Sequence, residues 1–273
     1  MAVRIERTSE FVAEIVMDRP EALNAVSTEQ AAAIAAACAE LASDPSVRAV
    51  VLSSSASRAF CVGADLKERA GFSDEDLRAQ RPVARAAYGG VLGLPVPVIA
   101  AVEGYALGGG CELALACDLI VASNTAVFAL PEVGVGLIPG GGGTQLLPRR
   151  IGWNRAADLI FSTRRVGAEE ALQIGLADRR VPAGLARLTA VELAEGIATR
   201  SPVAVRNAKA ALRRGFDVGL PAGLEIEDLA WADTAFSADR AEGIAAFNEK
   251  RAPRWPDPPA GPGSRSPGGS SHP

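Results

Sequence analysis

The order of apolar and polar positions divides the 273-residue chain into two regions. Strand-like runs come first. The opening stretch MAVRIERTSEF alternates as a strand does, and β-branched residues are frequent in 11–17 (FVAEIVM) and 47–53 (VRAVVLS). Between them, Ser27-x-x-Gln30 has the spacing of a capping box and opens an alanine-rich helix to about Ala42. Ser73 is placed to cap another helix, running to about Val91. Pro97–Val102 (PVIAAV) is a short apolar run of buried-strand type, and 118–123 (DLIVAS) and 126–130 (AVFAL) read as two further strands. Strands alternating with helices predict α/β layers around a buried sheet.

From about Asn154 the pattern changes to helix after helix, with a strand only near 176–181 (LADRRV). Helical patterns cover 186–199, 202–214, 223–236 and 238–251. The pattern therefore predicts an α/β core over 1–200 and a helical region over 201–255. Residues 256–273 are rich in Pro, Gly and Ser and predict a disordered tail.

Charge and composition exclude more than they assign. With 28 basic against 32 acidic residues the net charge is −4, which disfavours nucleic acid as the main partner. Arg78, Arg81 and Arg85 form the one candidate basic stripe on a helix face. Cys38, Cys61, Cys111 and Cys117 lie in apolar stretches without CxxC spacing, as expected of reduced, buried thiols in a cytoplasmic protein. No signal peptide is expected at the start. The uncharged run 86–102 contains Pro95 and Pro97 and makes a poor membrane span. The single histidine, His272, lies in the predicted tail, which argues against Ser-His or Cys-His catalysis and against a His-ligated metal. No GxSxG elbow or GxxxxGK[ST] loop occurs. Acid–base chemistry is left to carboxylates, Lys, Tyr or Cys.

Three stretches could carry such chemistry. In EGYALGGGCELALACD (103–118), Gly108, Gly109 and Gly110 precede an apolar helix whose one acid is Glu112. Bare amides at a helix start favour negative charge and permit close approach of a ligand, although Glu112 could also be an N3 capping residue. In FCVGADLKE (60–68), Gly63 and Ala64 again leave amides uncovered. Two such loops could aim two donors at one oxygen; the loop alone could equally be a turn with Asp65 capping a short helix. In FALPEVGVGLIPGGGGTQLLP (128–148), Glu132 is the only charged residue. Desolvation there raises a carboxyl pKa, which suits a general acid, while Pro131 with Glu132 also fits a simple helix start. The glycines 140–143 read as a tight turn before a helix.

Taken together, AFCVGADLKE, PVIAAVEGYALGGGCELALACDLIVAS, PEVGVGLIPGGGGTQLLPRRIG and DRAEGIAAFNEKRAPRW resemble the enoyl-CoA hydratase/isomerase (crotonase) family, in the family's order over residues 3–255. RPEALNAVS near the start adds to this. Within the family the chain is most similar to hydratases of the methylglutaconyl-CoA type. The resemblance implies an α/β crotonase-like spiral of ββα units with a C-terminal helical trimerisation region, assembled as a homotrimer or dimer of trimers. It implies an acyl-CoA thioester as partner, no cofactor beyond the coenzyme A of the substrate, no metal, and a place in fatty acid or branched-chain amino acid metabolism. By motif position the amides of Ala64 and Gly109 match the oxyanion hole, and Glu112 and Glu132 match the catalytic glutamates of the hydratases, as base and acid. Asp65, Leu66 and Lys67 continue the substrate-binding stretch, and Lys250 lies in a motif resembling a CoA-contacting element. Hydration of a 2-enoyl-CoA is the expected reaction. Double-bond isomerisation on the same scaffold and RNA binding by a hydratase homologue are the alternatives.

The tail reading has a direct test. Deleting residues 257–273 should leave melting temperature and activity unchanged; a drop of several degrees would mean that the tail docks.

Overall fold

The computed structural model describes residues 2–256. In chain order, β1 (Val3–Arg7) and β2 (Val12–Met17) form a hairpin leading to α1 (Thr28–Ser43). Next come β3 (Ala49–Ser54), β4 (Ala59–Cys61), a short α2 (Leu66–Arg69) and a long α3 (Asp74–Gly93). The third unit is β5 (Val98–Val102), β6 (Tyr105–Leu107) and α4 (Gly109–Ala116). The fourth is β7 (Leu119–Ser123), β8 (Val127–Ala129), a 3-10 turn (Glu132–Val135), α5 (Gly143–Ile151) and α6 (Trp153–Ser162). After β9 (Val166–Gly167), α7 (Ala168–Gln173) and β10 (Arg179–Val181), the chain continues as α8 (Ala186–Ala198), α9 (Pro202–Gly215), α10 (Leu220–Ala235) and α11 (Ala238–Asn248).

From β3 to β8 successive strands alternate between two sheets, so that each turn of the chain there is a ββα step of a spiral. One sheet has the order β1-β2-β3-β5-β7-β10, the other β4-β6-β8-β9. Beyond the antiparallel β1–β2 pair every ladder of the larger sheet is parallel. A parallel sheet must bury both faces, and the pleat sorts the side chains accordingly. Val50, Leu52, Val98, Ala100, Ile120 and Ala122 face the main core, shared with α1 and α3. Val51, Ile99, Ala101 and Val121 face α8, whose Ala186, Ala190, Ala194 and Ala198 recur every fourth residue. Buried Glu14 ties α8 down, accepting from Ser53 Oγ and from the Arg187 guanidinium.

Most expected elements are present, with three short strands added. β4, β6 and β9 are two or three residues long, below what a period-2 pattern can reveal. The Ser27 box forms by half: Ser27 Oγ accepts from Gln30 N–H, but the buried Gln30 amide does not return the bond. Ser73 and Asp76 form the reciprocal box in full. The four cysteines are free and buried, and among the described residues no helix is long and apolar enough to cross a membrane. The predicted tail lies outside the described residues, apart from Pro256.

α9 and α10 contain no buried residue, and with α11 they expose Leu212, Phe216, Leu220, Leu229, Trp231, Phe236 and Phe247. α9 docks on the sheet through charge: Asp118 pairs with both Lys209 and Arg213.

Gly110 sets how closely α4 approaches β4, because a Cβ there would lie 2.0 Å from the Cys61 carbonyl oxygen. Gly110→Ala should therefore destabilise the fold by about 3 kcal/mol or more. Gly196, in exposed α8 surface with nothing within 4 Å, should give the opposite sign. Gly196→Ala should stabilise by about 0.5–1 kcal/mol. Urea denaturation of both variants checks the pair, and equal shifts would contradict the packing described.

Candidate active site

Two backbone loops meet at one end of the smaller sheet. Parallel pairing of β4 with β6 brings the chain after Cys61 beside the chain after Leu107. The first loop is clamped from three sides. Val26 N–H donates to Gly63 O at 2.7 Å, Asp65 N–H donates to Val26 O at 3.0 Å, and Arg19 Nη2 reaches Asp65 at 3.1 Å. Asp65 also caps α2, accepting from the amides of Lys67 and Glu68. In the second loop Gly108 takes φ +52°, a conformation costly for any residue with a Cβ, and donates its N–H to Ala129 O. The loops touch, since a Cβ on Gly63 would lie 3.1 Å from Gly109 N. Ala64 N–H and Gly109 N–H both lie in segments lining a cleft of about 820 Å³, and no described group accepts from either.

The two isolated acids stand beside these amides. Glu112 is the fourth residue of α4, counted from its cap at Gly108, and does not cap that helix. Its Oε1 instead accepts from Gly141 N–H and Gly143 N–H, each at 2.7 Å. The glycine turn before α5 is thus a cradle for a carboxylate 2% exposed. Burial raises the Glu112 pKa above its ordinary value, opposed by the amides of 140–143. Glu132 opens the 3-10 turn, with Pro131 at its cap rather than at the first helical position. Its Oε1 lies 2.9 Å from where a Cβ on Gly108 would be, while its buried Oε2 has no hydrogen-bond partner. Burial, with a smaller contribution from the Glu112 charge, pushes the Glu132 carboxyl up to about 7. One carboxyl group is pinned by two donors and the other is poised to hold a proton at neutral pH.

A match to the family model described as enoyl-CoA hydratase/isomerase runs over residues 7–258. The chain belongs to the enoyl-CoA hydratase/isomerase family. It is 40% identical over 255 residues to human mitochondrial methylglutaconyl-CoA hydratase, covering 92% of this chain and 75% of that protein. It is 42% identical over 248 residues to mouse mitochondrial enoyl-CoA hydratase domain-containing protein 2, covering 89% and 84%. Among solved structures, an enoyl-CoA hydratase from Bacillus anthracis superposes with a TM-score of 0.91 at 40% identity, covering 93% of this chain and 99% of that one. The crotonase fold expected from the resemblance is therefore the fold of this family member.

The cleft gathers Ala64, Leu66, Gly109 and Glu132 in its wall, with Glu112 buried behind the glycine cradle. Lys67 is exposed on α2 beside Leu66, and Asp65 is occupied in holding the first loop. Lys250 is exposed beyond α11 and is not brought to the cleft within one chain. The arginine stripe divides: Arg81 and Arg85 line the cleft with Arg69, and Arg78 does not. Helical spacing through Leu77, Arg81, Ala84, Arg85 and Tyr88 could have found this face. The thiols offer no alternative nucleophile. Burial pushes Cys38 and Cys61 up to about 12 and shifts Cys111 and Cys117 in the same direction.

Proposed function

We propose that this protein is an enoyl-CoA hydratase, adding water across the 2,3 double bond of a 2-enoyl-CoA to give the 3-hydroxyacyl-CoA. The observation that carries the reading is the pair of dissimilar carboxyl groups beside two unengaged backbone amides. Ala64 N–H and Gly109 N–H hold the thioester oxygen, and the start of α4 adds its dipole. Glu112, kept as a carboxylate by its cradle, takes a proton from water as the oxygen bonds to C3. The alkene electron pair moves to the thioester oxygen as an enolate. Glu132 then delivers its proton to C2, and proton exchange with solvent resets both acids. Coenzyme A belongs to the substrate, so the reaction needs no further cofactor.

Arg69, Arg81 and Arg85 on the cleft wall suit an anionic coenzyme. Lys67 is exposed and follows the lining residue Leu66 in the chain. The exposed apolar residues of α9–α11 support assembly into a trimer or dimer of trimers through that region. Four free buried thiols favour a reducing compartment such as the cytoplasm.

Glu112→Gln and Glu132→Gln should each lower kcat for crotonyl-CoA hydration by ~10²–10⁴-fold, with little loss of acyl-CoA binding by calorimetry. The double variant should fall far less than the product of the single losses. The wild-type kcat/KM profile should decline as pH rises through about 7, where Glu132 loses its proton. It should also decline at low pH, where Glu112 gains a proton at a value above the ordinary 4.5. Wild-type-like kcat in either single variant, or formation of a shifted alkene in place of the 3-hydroxy product, would overturn the reading.

A further inference from the structure

One polar group in the cleft wall has no part in the chemistry above. Tyr88 stands on the α3 face that lines the cleft and is 9% exposed. Its ring lies against Gly141, where a Cβ would come within 2.6–2.8 Å of three ring carbons. Its hydroxyl lies over Gly109, where a Cβ would come within 2.4 Å of Oη. The side chain therefore spans the distance from the Glu112 cradle to the second oxyanion amide. No described group donates to the hydroxyl or accepts from it.

The hydroxyl has no partner among the described residues and is not sealed from the cleft, so solvent or a ligand can reach it there. The hydroxyl is therefore available to a ligand. Its proton is secure. Burial first, then the charge of Glu112, holds the phenol far above its ordinary range, so it is a donor at every working pH.

We propose that Tyr88 is a further catalytic residue, its hydroxyl donating a hydrogen bond to the thioester oxygen beside Ala64 N–H and Gly109 N–H. This rests on the hydratase reading for the identity of that oxygen. As the enolate forms, negative charge collects at the position the hydroxyl overlooks, so the bond strengthens in the transition state more than in the ground state. The absence of a competing acceptor in the free protein means that no existing bond has to be broken. The placement also accounts for Gly109 in a second way, since any side chain there would collide with the phenol.

Tyr88→Phe is the test, because it removes one atom and fills the same space. Its melting temperature should stay close to that of the wild type, since the hydroxyl has no partner in the protein to lose. Hydration of crotonyl-CoA should lose at least about tenfold in kcat with KM little changed. Binding supplies a readout independent of turnover. Acetoacetyl-CoA, which can bind as an enolate with its own near-ultraviolet absorbance, should bind at least about tenfold more weakly to the variant. Butyryl-CoA, a saturated thioester, should bind almost as before. Position is checked by Gly109→Ala, which should cost less in the Tyr88→Phe background than in the wild type, since the colliding hydroxyl is gone. Equal weakening of both ligands, or no weakening of either, would make Tyr88 a packing residue, and strict additivity with Gly109→Ala would place the hydroxyl away from Gly109; each result overturns the proposal. A wild-type protein that does not hydrate crotonyl-CoA would instead overturn the hydratase reading, while the comparison of enolate with saturated ligand would still decide the role of Tyr88.

Discussion

Two amide N–H groups converge on a single carboxylate oxygen, and the site depends on that convergence. Gly141 and Gly143 each reach Glu112 Oε1 at 2.7 Å, joining the turn before α5 to the first turn of α4. α4 is in turn pressed onto β4 at Gly110, where the Cys61 carbonyl leaves no room for a Cβ. The loop after Cys61, the start of α4 and the 131–143 segment are thereby fixed against one another. Short contacts between backbone atoms tolerate little rotation, which is what oxyanion donors and paired acids require.

The same arrangement separates the two glutamates electrically. Both are desolvated, and desolvation raises the pKa of both. The glycine cradle opposes it at Glu112, whereas at Glu132 one oxygen is left buried without a partner and the carboxyl moves to about 7. Like residues thus acquire unlike hydrogen-bonding surroundings, which supports Glu112 as the base and Glu132 as the acid of the proposed reaction.

Much of this was legible in the sequence, for physical reasons. Buried parallel strands show as apolar runs, so β2, β3, β5 and β7 were readable, while three-residue β4 and β6 carry too few positions to show a period. Glu112 and Glu132 stood out as lone charges in apolar stretches. The function of the 140–143 glycines did not, because the direction in which an amide points is a tertiary property. Helix-face spacing grouped Arg78 with Arg81 and Arg85, but only the packing of α3 shows that the last two face the cleft. Lys250 was carried by motif position, and within one chain it lies away from the cleft. Tyr88 gave no signal, since an aromatic residue on an amphipathic helix reads as ordinary core.

The proposed hydration requires Glu132 neutral and Glu112 ionised in the resting site. Neutron diffraction from deuterium-exchanged crystals at about pD 6 observes this directly, one unit below the value near 7 reached by Glu132. The account predicts a deuteron on Glu132 Oε2 and none on either oxygen of Glu112, whose Oε1 should receive deuterons only from Gly141 and Gly143. A bare Glu132 carboxylate together with a deuterated Glu112 would reverse the two roles and contradict it.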